Sequence, residues 1–170
     1  MFMIEAVKAK HGDCLLLHWG AGKLALIDGG PDTVYENFLK PRLEQLRDER
    51  GARKLQLDLT MVSHIDDDHI NGILALADDI ENGDAPAKIG VLWFNSLEHL
   101  LDEPIAEGTT AQVTAAVGAL LPHVKNKWDQ KVLASVPQGQ LLHGFAQREG
   151  IFDLMNDPYQ PLVMTAKKQK

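Results

Sequence analysis

Six consecutive residues, His64-Ile65-Asp66-Asp67-Asp68-His69, gather two imidazoles and three carboxylates. They follow an apolar stretch with strand-like alternation and precede one with helical spacing. That puts them on a strand-to-helix junction, where α/β proteins tend to place chemistry. Such a turn can converge the side chains of His64, Asp66, Asp68 and His69 on one point. Carboxylates held that close repel one another, and burying even one is costly. A divalent cation reverses the balance, and mixed nitrogen and oxygen ligands suit Zn²⁺, and also Mn²⁺ or Fe. The plainer alternative is a solvated acidic helix start, since aspartates favour the positive end of the helix dipole. It accounts for Asp66 to Asp68 but not for both histidines. A calcium loop is a third pattern to weigh, because Asp67-x-His69-x-Asn71-Gly72 followed by Asp78 imitates part of one. That loop needs a helix before it and normally a Glu at its end, whereas here an apolar strand precedes and Asp78 closes.

The elements that must position this cluster can be read outward from it. Leu55 to Val62 alternates Leu55, Leu57, Leu59 and Met61 with polar residues and reads as the strand leading in. Ile70, Ile73, Leu74 and Ala77 give the helix leading out, which fades at Asn82-Gly83-Asp84. Upstream, Met1 to Ala9, Cys14 to Trp19 and Lys23 to Ile27 read as three short strands. They are separated by His11-Gly12-Asp13 and Gly20-Ala21-Gly22, which suggests an antiparallel meander. Between meander and cluster, Tyr35, Leu39, Leu43 and Leu46 make the stripe of a helix over Thr33 to Arg50. Thr33 and Glu36 have capping-box spacing, and Pro41 predicts a kink or two short helices. Downstream, Lys88 to Phe94 reads as a strand, with helices expected over Thr110 to Leu121 and Leu141 to Glu149. No internal repeat or domain boundary stands out.

The chain of 170 residues, 45% hydrophobic and 24% charged, is enough for one domain with a real core. A net charge of −7 disfavours a broad non-specific nucleic-acid surface, which needs clustered Lys and Arg. It leaves room for a small phosphate-bearing substrate, because a metal ion can supply local positive charge. The single cysteine, Cys14, excludes an internal disulfide. No charged-then-apolar leader precedes the first strand, and no apolar run approaches about 18 residues, so the expectation is a cytoplasmic chain without a membrane span.

At His64-Ile65-Asp66-Asp67-Asp68-His69 the sequence resembles the metallo-β-lactamase superfamily, in particular its branch similar to the competence protein ComEC. The superfamily signature is His-x-His-x-Asp-His after an apolar strand, and this chain has Asp66 in place of the second His, a variant shared with that branch. His11-Gly12-Asp13-Cys14 resembles the branch's Gly-Asp-x motif. Leu26-Ile27-Asp28-Gly29-Gly30 resembles the superfamily's strand-ending Ile-Asp-x-Gly. The order of these pieces also agrees, and the resemblance covers residues 1–95.

The resemblance implies an α/β fold, the N-terminal half of the four-layer αβ/βα metallo-β-lactamase architecture, with a mixed sheet and helices on one face. It implies two metal positions, with His64 and Asp66 serving the first and Asp68 and His69 the second. Zn²⁺ is the expected ion and Mn²⁺ the alternative that Asp66 favours. Asp68 would also orient or deprotonate the attacking water, and Asp28 would brace the metal loop by hydrogen bonds, with direct ligation as the alternative. The implied activity is metal-dependent hydrolysis, with metal-bound hydroxide attacking a phosphodiester or another ester or amide bond of a small-molecule or phosphodiester substrate. The other reading is a metal-binding but non-catalytic interaction module, or an incomplete hydrolase half that needs a partner.

In the superfamily a second half supplies another His, a bridging Asp and a final His. Here His99, His123 and His143 are the later histidines, and none stands at the end of an apolar strand, so each is expected to be a surface or core residue. The chain therefore reads as a single domain over residues 1–170 in truncated form. Phe2, Ile4, Leu15, Leu17, Leu24 and Leu26 fall in a sheet that the two early helices can cover on only one side. The expected partner is a second copy, or a chain that supplies the missing half.

Overall fold

The computed structural model describes residues 2–95 and 136–151. Strands β1 (Phe2–Ala6), β2 (Leu15–Trp19) and β3 (Lys23–Ile27) form the expected antiparallel meander, with Leu17 opposite Ile4 on one side and Ala25 on the other. Gly20 and Gly22, both at positive φ, let the chain reverse between β2 and β3. The sheet then turns parallel: β5 (Leu59–Met61) runs alongside β3, and β7 (Leu92–Trp93) alongside β5. The result is a five-stranded mixed sheet in the order β1-β2-β3-β5-β7. A small parallel pair stands beside it, β4 (Leu55–Leu57) with β6 (Ala87–Ile89). The class is α/β with a mixed sheet.

The strand expected from Leu55 to Val62 breaks at Asp58, and its halves join different sheets. Asp58 is pinned to the start of β3. Its carboxylate accepts Leu24 N at 3.0 Å and Lys23 Nζ at 2.5 Å, and its own N–H donates to Leu24 O at 2.7 Å. Leu55 and Leu57 consequently enter the main core, whereas Leu59 sits opposite Ala25, outside that cluster. The strand expected from Lys88 to Phe94 likewise breaks, at Gly90, whose N–H donates to Leu57 O at 2.8 Å.

Helical structure continues through Pro41, divided by a π-helical stretch just before it. Helix α1 (Asp32–Val34) passes through a π-helical stretch (Tyr35–Leu39) into α2 (Lys40–Glu49). The Lys40 N–H reaches back five residues to Tyr35 O. Proline has no N–H to give and its ring crowds the preceding turn, so one wider turn accommodates it. The Thr33 capping box does not form either. The helix starts a residue earlier, at Asp32, and Thr33 Oγ1 instead accepts Lys10 Nζ at 2.9 Å.

Helix α3 (Asp67–Asn82) begins inside the acidic cluster and ends at Gly83 in the left-handed conformation. Helix α4 (Val136–Arg148) starts five residues before the Leu141 expected from the sequence and packs on α3, with Arg148 Nε 2.5 Å from Glu81 Oε1. The core lies on one side of the sheet. Leu16, Leu24, Leu26 and Leu92 are buried with Val34, Tyr35, Leu39 and Leu43 from the first helical run. Ile70, Ile73 and Leu76 from α3 and Leu142 and Phe145 from α4 complete it. Burying each leucine contributes about 1.5–3 kcal/mol relative to leaving it exposed. By register, Phe2, Ile4, Leu15 and Leu17 belong to the opposite face. There Phe2 and Ile4 are 65% and 58% exposed, while Leu15 and Leu17 are half-buried. Among the described residues no helix is long and apolar enough to cross a membrane. His99, His123 and the helix expected over Thr110 to Leu121 lie outside them.

Candidate metal centre

Two strand ends build the floor of the site. At the end of β3, Asp28 takes a left-handed φ of 56°, which aspartate tolerates better than most residues, and its N–H donates to Met61 O at 2.8 Å. Its buried carboxylate accepts Ser63 N at 2.7 Å on Oδ1. On Oδ2 it accepts the Ser63 hydroxyl at 2.6 Å and His69 Nδ1 at 3.0 Å. These hydrogen bonds tie the end of β3 to Ser63 and His69. An ionised carboxylate can only accept, so the imidazole carries its proton on Nδ1 and, when neutral, presents the lone pair of Nε2 to the site. Gly29 N–H donates to His69 O at 2.7 Å and Gly72 N–H to Gly30 O at 3.0 Å, which ties the first turns of α3 to the same strand end.

His64, Asp66, Asp68 and His69 are neighbours in pairs, but they are not the group whose ligand atoms all lie within 4.8 Å of one another among the described residues. The rings of His64 and His69 lie with centroids 3.6 Å apart. His64 Nδ1 is 3.5 Å from Asp66 Oδ2, and His69 Nε2 is 3.8 Å from Asp68 Oδ2. They form a row, Asp66–His64–His69–Asp68, graded from half-exposed at Asp66 and His64 to buried at His69. Asp66 also caps α3 through its backbone, its carbonyl receiving the N–H groups of His69 and Ile70. Asp67 is held apart, accepting Gln138 Nε2 from α4 at 2.8 Å. That helix supports the loop from behind, with Gly139 facing the Ile65 side chain. His143 is buried on α4 beside Gln147.

A second grouping overlaps the first. Carboxylate oxygens of Asp13 and Asp28 and a ring nitrogen of His69 all lie within 4.8 Å of one another. Asp28 is the least available of the three as a ligand, because three hydrogen bonds already occupy its oxygens. We read it as the group that orients His69, the arrangement in which metal-ligating histidines are usually held. Cys14, next to Asp13, adds no thiolate: burial first, then the nearby Asp28 and Glu5 charges, push its thiol up to about 12. Asp68 also lines an open cleft of about 500 Å³, with Asp32 and Asp67 as further carboxylates and Lys10, His11, Pro31, Thr33 and Asn71 around them.

The donor set fits a divalent cation. A buried imidazole fixed at Nδ1, with no hydrogen bond on Nε2 among the described residues, faces one carboxylate and adjoins a second imidazole. Sequence reasoning missed Asp13 as a member of this cluster, and missed Ser63 and Gln138 as supports. Asp13 is 56 positions before His69, and no local periodicity links the two. No family model matches the chain, and no curated protein or solved structure matches it.

Proposed function

We propose that the chain is a metal-dependent hydrolase, with His64, Asp66, Asp68 and His69 holding one or two divalent cations, Zn²⁺ or Mn²⁺. The observation that carries this reading is His69: buried, fixed by Asp28 through Nδ1, its Nε2 turned toward Asp68 without a hydrogen bond. The resemblance to the metallo-β-lactamase superfamily, ComEC-like branch, supports it, and the mixed sheet agrees with the N-terminal half of that architecture. A cation held there supplies positive charge that acidifies water and polarises a substrate carbonyl or phosphoryl oxygen.

The chain's own residues supply the rest. Asp28 keeps the His69 lone pair directed at the site, so the imidazole spends no freedom finding its orientation. Asp68, about one-third exposed at the wall of the cleft, is placed to accept a proton from a water standing there. The cleft admits a small-molecule or phosphodiester substrate, and its Lys10 and His11 are the groups that would meet a negative charge. The proposed setting is the cytoplasm.

Elemental analysis of protein purified without chelator tests the reading directly, together with hydrolysis of bis(p-nitrophenyl) phosphate. We expect bound metal, and activity that EDTA removes and added Zn²⁺ or Mn²⁺ restores. Metal-free protein, or turnover that survives thorough chelation, would overturn it. A partner belongs to the same reading. Phe2 and Ile4 stand exposed on β1, an edge strand of the sheet, and apolar side chains on an open edge favour association. A second copy of the chain is expected there, or a chain supplying further ligands. Sedimentation over a wide dilution series should show association at high concentration, and a monomer throughout would remove the partner.

A further inference from the structure

The turn between β1 and β2 carries a carboxylate, Asp13, with no hydrogen bond or ion pair among the described residues. Val7 N–H donates to Cys14 O at 2.9 Å and Gly12 N–H to Ala9 O at 3.0 Å, which closes the turn. Gly12 lies directly against the first turn of α3: a Cβ there would fall 1.8 Å from the Asp68 carbonyl oxygen. Only glycine lets the loop seat that deeply. Seated so, it brings Asp13 beside Asp28 and His69, the three offering ligand atoms within 4.8 Å of one another.

Asp28 is compensated by Ser63 and His69. Asp13 has no hydrogen bond or ion pair among the described residues, and the nearest cation on its own turn, Lys10, is engaged by Thr33. His69 provides the independent sign that something is to be bound: its side chain is nine-tenths buried and its Nε2 lacks a hydrogen bond.

We propose that Asp13 is a further ligand of the cation site, delivered by the β1–β2 turn to the side of His69 and Asp28. This rests on the metal-binding reading above and extends it. Asp13 stands with His69 and Asp28, one nitrogen and two carboxylates, and Asp68 Oδ2 is 3.8 Å from His69 Nε2, donor types that with water suit Zn²⁺ or Mn²⁺. It also offers a source, within the first 95 residues, for a ligand otherwise looked for beyond them.

The test uses the full chain and cobalt as the probe. Co²⁺ and Zn²⁺ are titrated into wild type, Asp13→Asn and Asp68→Asn against a competing chelator, with the visible Co²⁺ spectrum and the metal-free melting temperature recorded. For Asp13→Asn we expect at least about a tenfold loss of affinity and a changed Co²⁺ spectrum, the scale seen when groups around a metal are altered. Its metal-free melting temperature should be unchanged, since Asp13 is exposed and has no partner to lose among the described residues. Asp13→Glu, which keeps the charge and shifts the oxygens, should bind with an altered spectrum and covers the case in which Asp13→Asn folds poorly. If Asp13→Asn keeps wild-type affinity and spectrum while Asp68→Asn loses metal, this inference fails and the hydrolase reading stands. If wild type takes up no metal, both fail.

Discussion

Gly29 and Gly72 meet backbone against backbone, so closely that a Cβ on Gly72 would fall 1.9 Å from the Gly29 carbonyl oxygen. The end of β3 and the second turn of α3 can therefore share hydrogen bonds at Gly29, Gly30 and Gly72 without a side chain between them. The contact sets the height at which His69 stands over Asp28. Gly72→Ala forces backbone apart on both sides, and overpacking of this kind costs about 1–3 kcal/mol or more. We expect a loss near the upper end in urea unfolding. Gly83→Ala is the control: its Cβ would meet nothing within 4 Å, so only the left-handed φ is penalised, about 1 kcal/mol. Equal losses for the two variants would show that the close approach is not tight.

Asp28 separates stability from metal affinity. Asp28→Asn keeps an acceptor for Ser63 N–H and tolerates the left-handed backbone, so we expect a stability change within about 1 kcal/mol. The amide would present its NH₂ to His69 Nδ1, forcing the ring proton onto Nε2, where it blocks ligation. Metal affinity should fall about 10–100-fold. Asp28→Ala should lose both, with about 3 kcal/mol of stability, because it strips the partners of buried donors. Calorimetry of metal binding beside thermal melts decides; unaltered affinity in Asp28→Asn would show that Asp28 does not set the tautomer.

Among the histidines, His69→Ala should reduce bound metal far more than His143→Ala, and Asp68→Ala should do the same. The first two change the row beside His64, while His143 lies buried on α4 with Gln147. His143→Ala should instead lower the melting temperature with metal content preserved. Equal metal loss in elemental analysis would bring α4 into the site.

Acid should weaken the joint between the first helical run and α3. Burial works against the Asp79 charge, but hydrogen bonds from Lys40 at 2.6 Å and Tyr35 at 2.7 Å outweigh it and hold the carboxyl below its ordinary 3.8. A pKa lowered on folding contributes stability above the unfolded value, and that contribution is lost as pH falls through the folded one. Glu5, held low by Arg42 despite partial burial, acts in the same sense. The stability difference between wild type and Asp79→Asn should be level from about pH 7 to 5 and shrink below about pH 4. A difference that grows in acid would reverse the sign assigned to Asp79.

The sequence by itself determined what is local. Short-range turn chemistry marked the meander of β1, β2 and β3, and the apolar spacing after His69 marked α3. The density of imidazole and carboxylate between His64 and His69 marked the candidate site, because these features are carried by neighbours in the chain. Asp28 as a brace was legible through a motif resemblance rather than through periodicity.

Tertiary structure decided everything that depends on which distant segment comes to rest beside which. The alternation through Leu55, Leu57, Leu59 and Met61 is unbroken in sequence, yet Asp58 is captured by the start of β3 and the strand divides. In β2 the run Leu15-Leu16-Leu17 shows no alternation, so only pairing and packing reveal that Leu16 faces the core. Pro41 announced a disruption but not its form, because a widened turn and a kink both relieve the same missing N–H. Asp13 joined His69 only because Gly12 lets a turn far away in the chain press against α3. Hydrogen bonds and charges act through space over a few ångströms, and local sequence spacing does not specify which remote residues will come within that range.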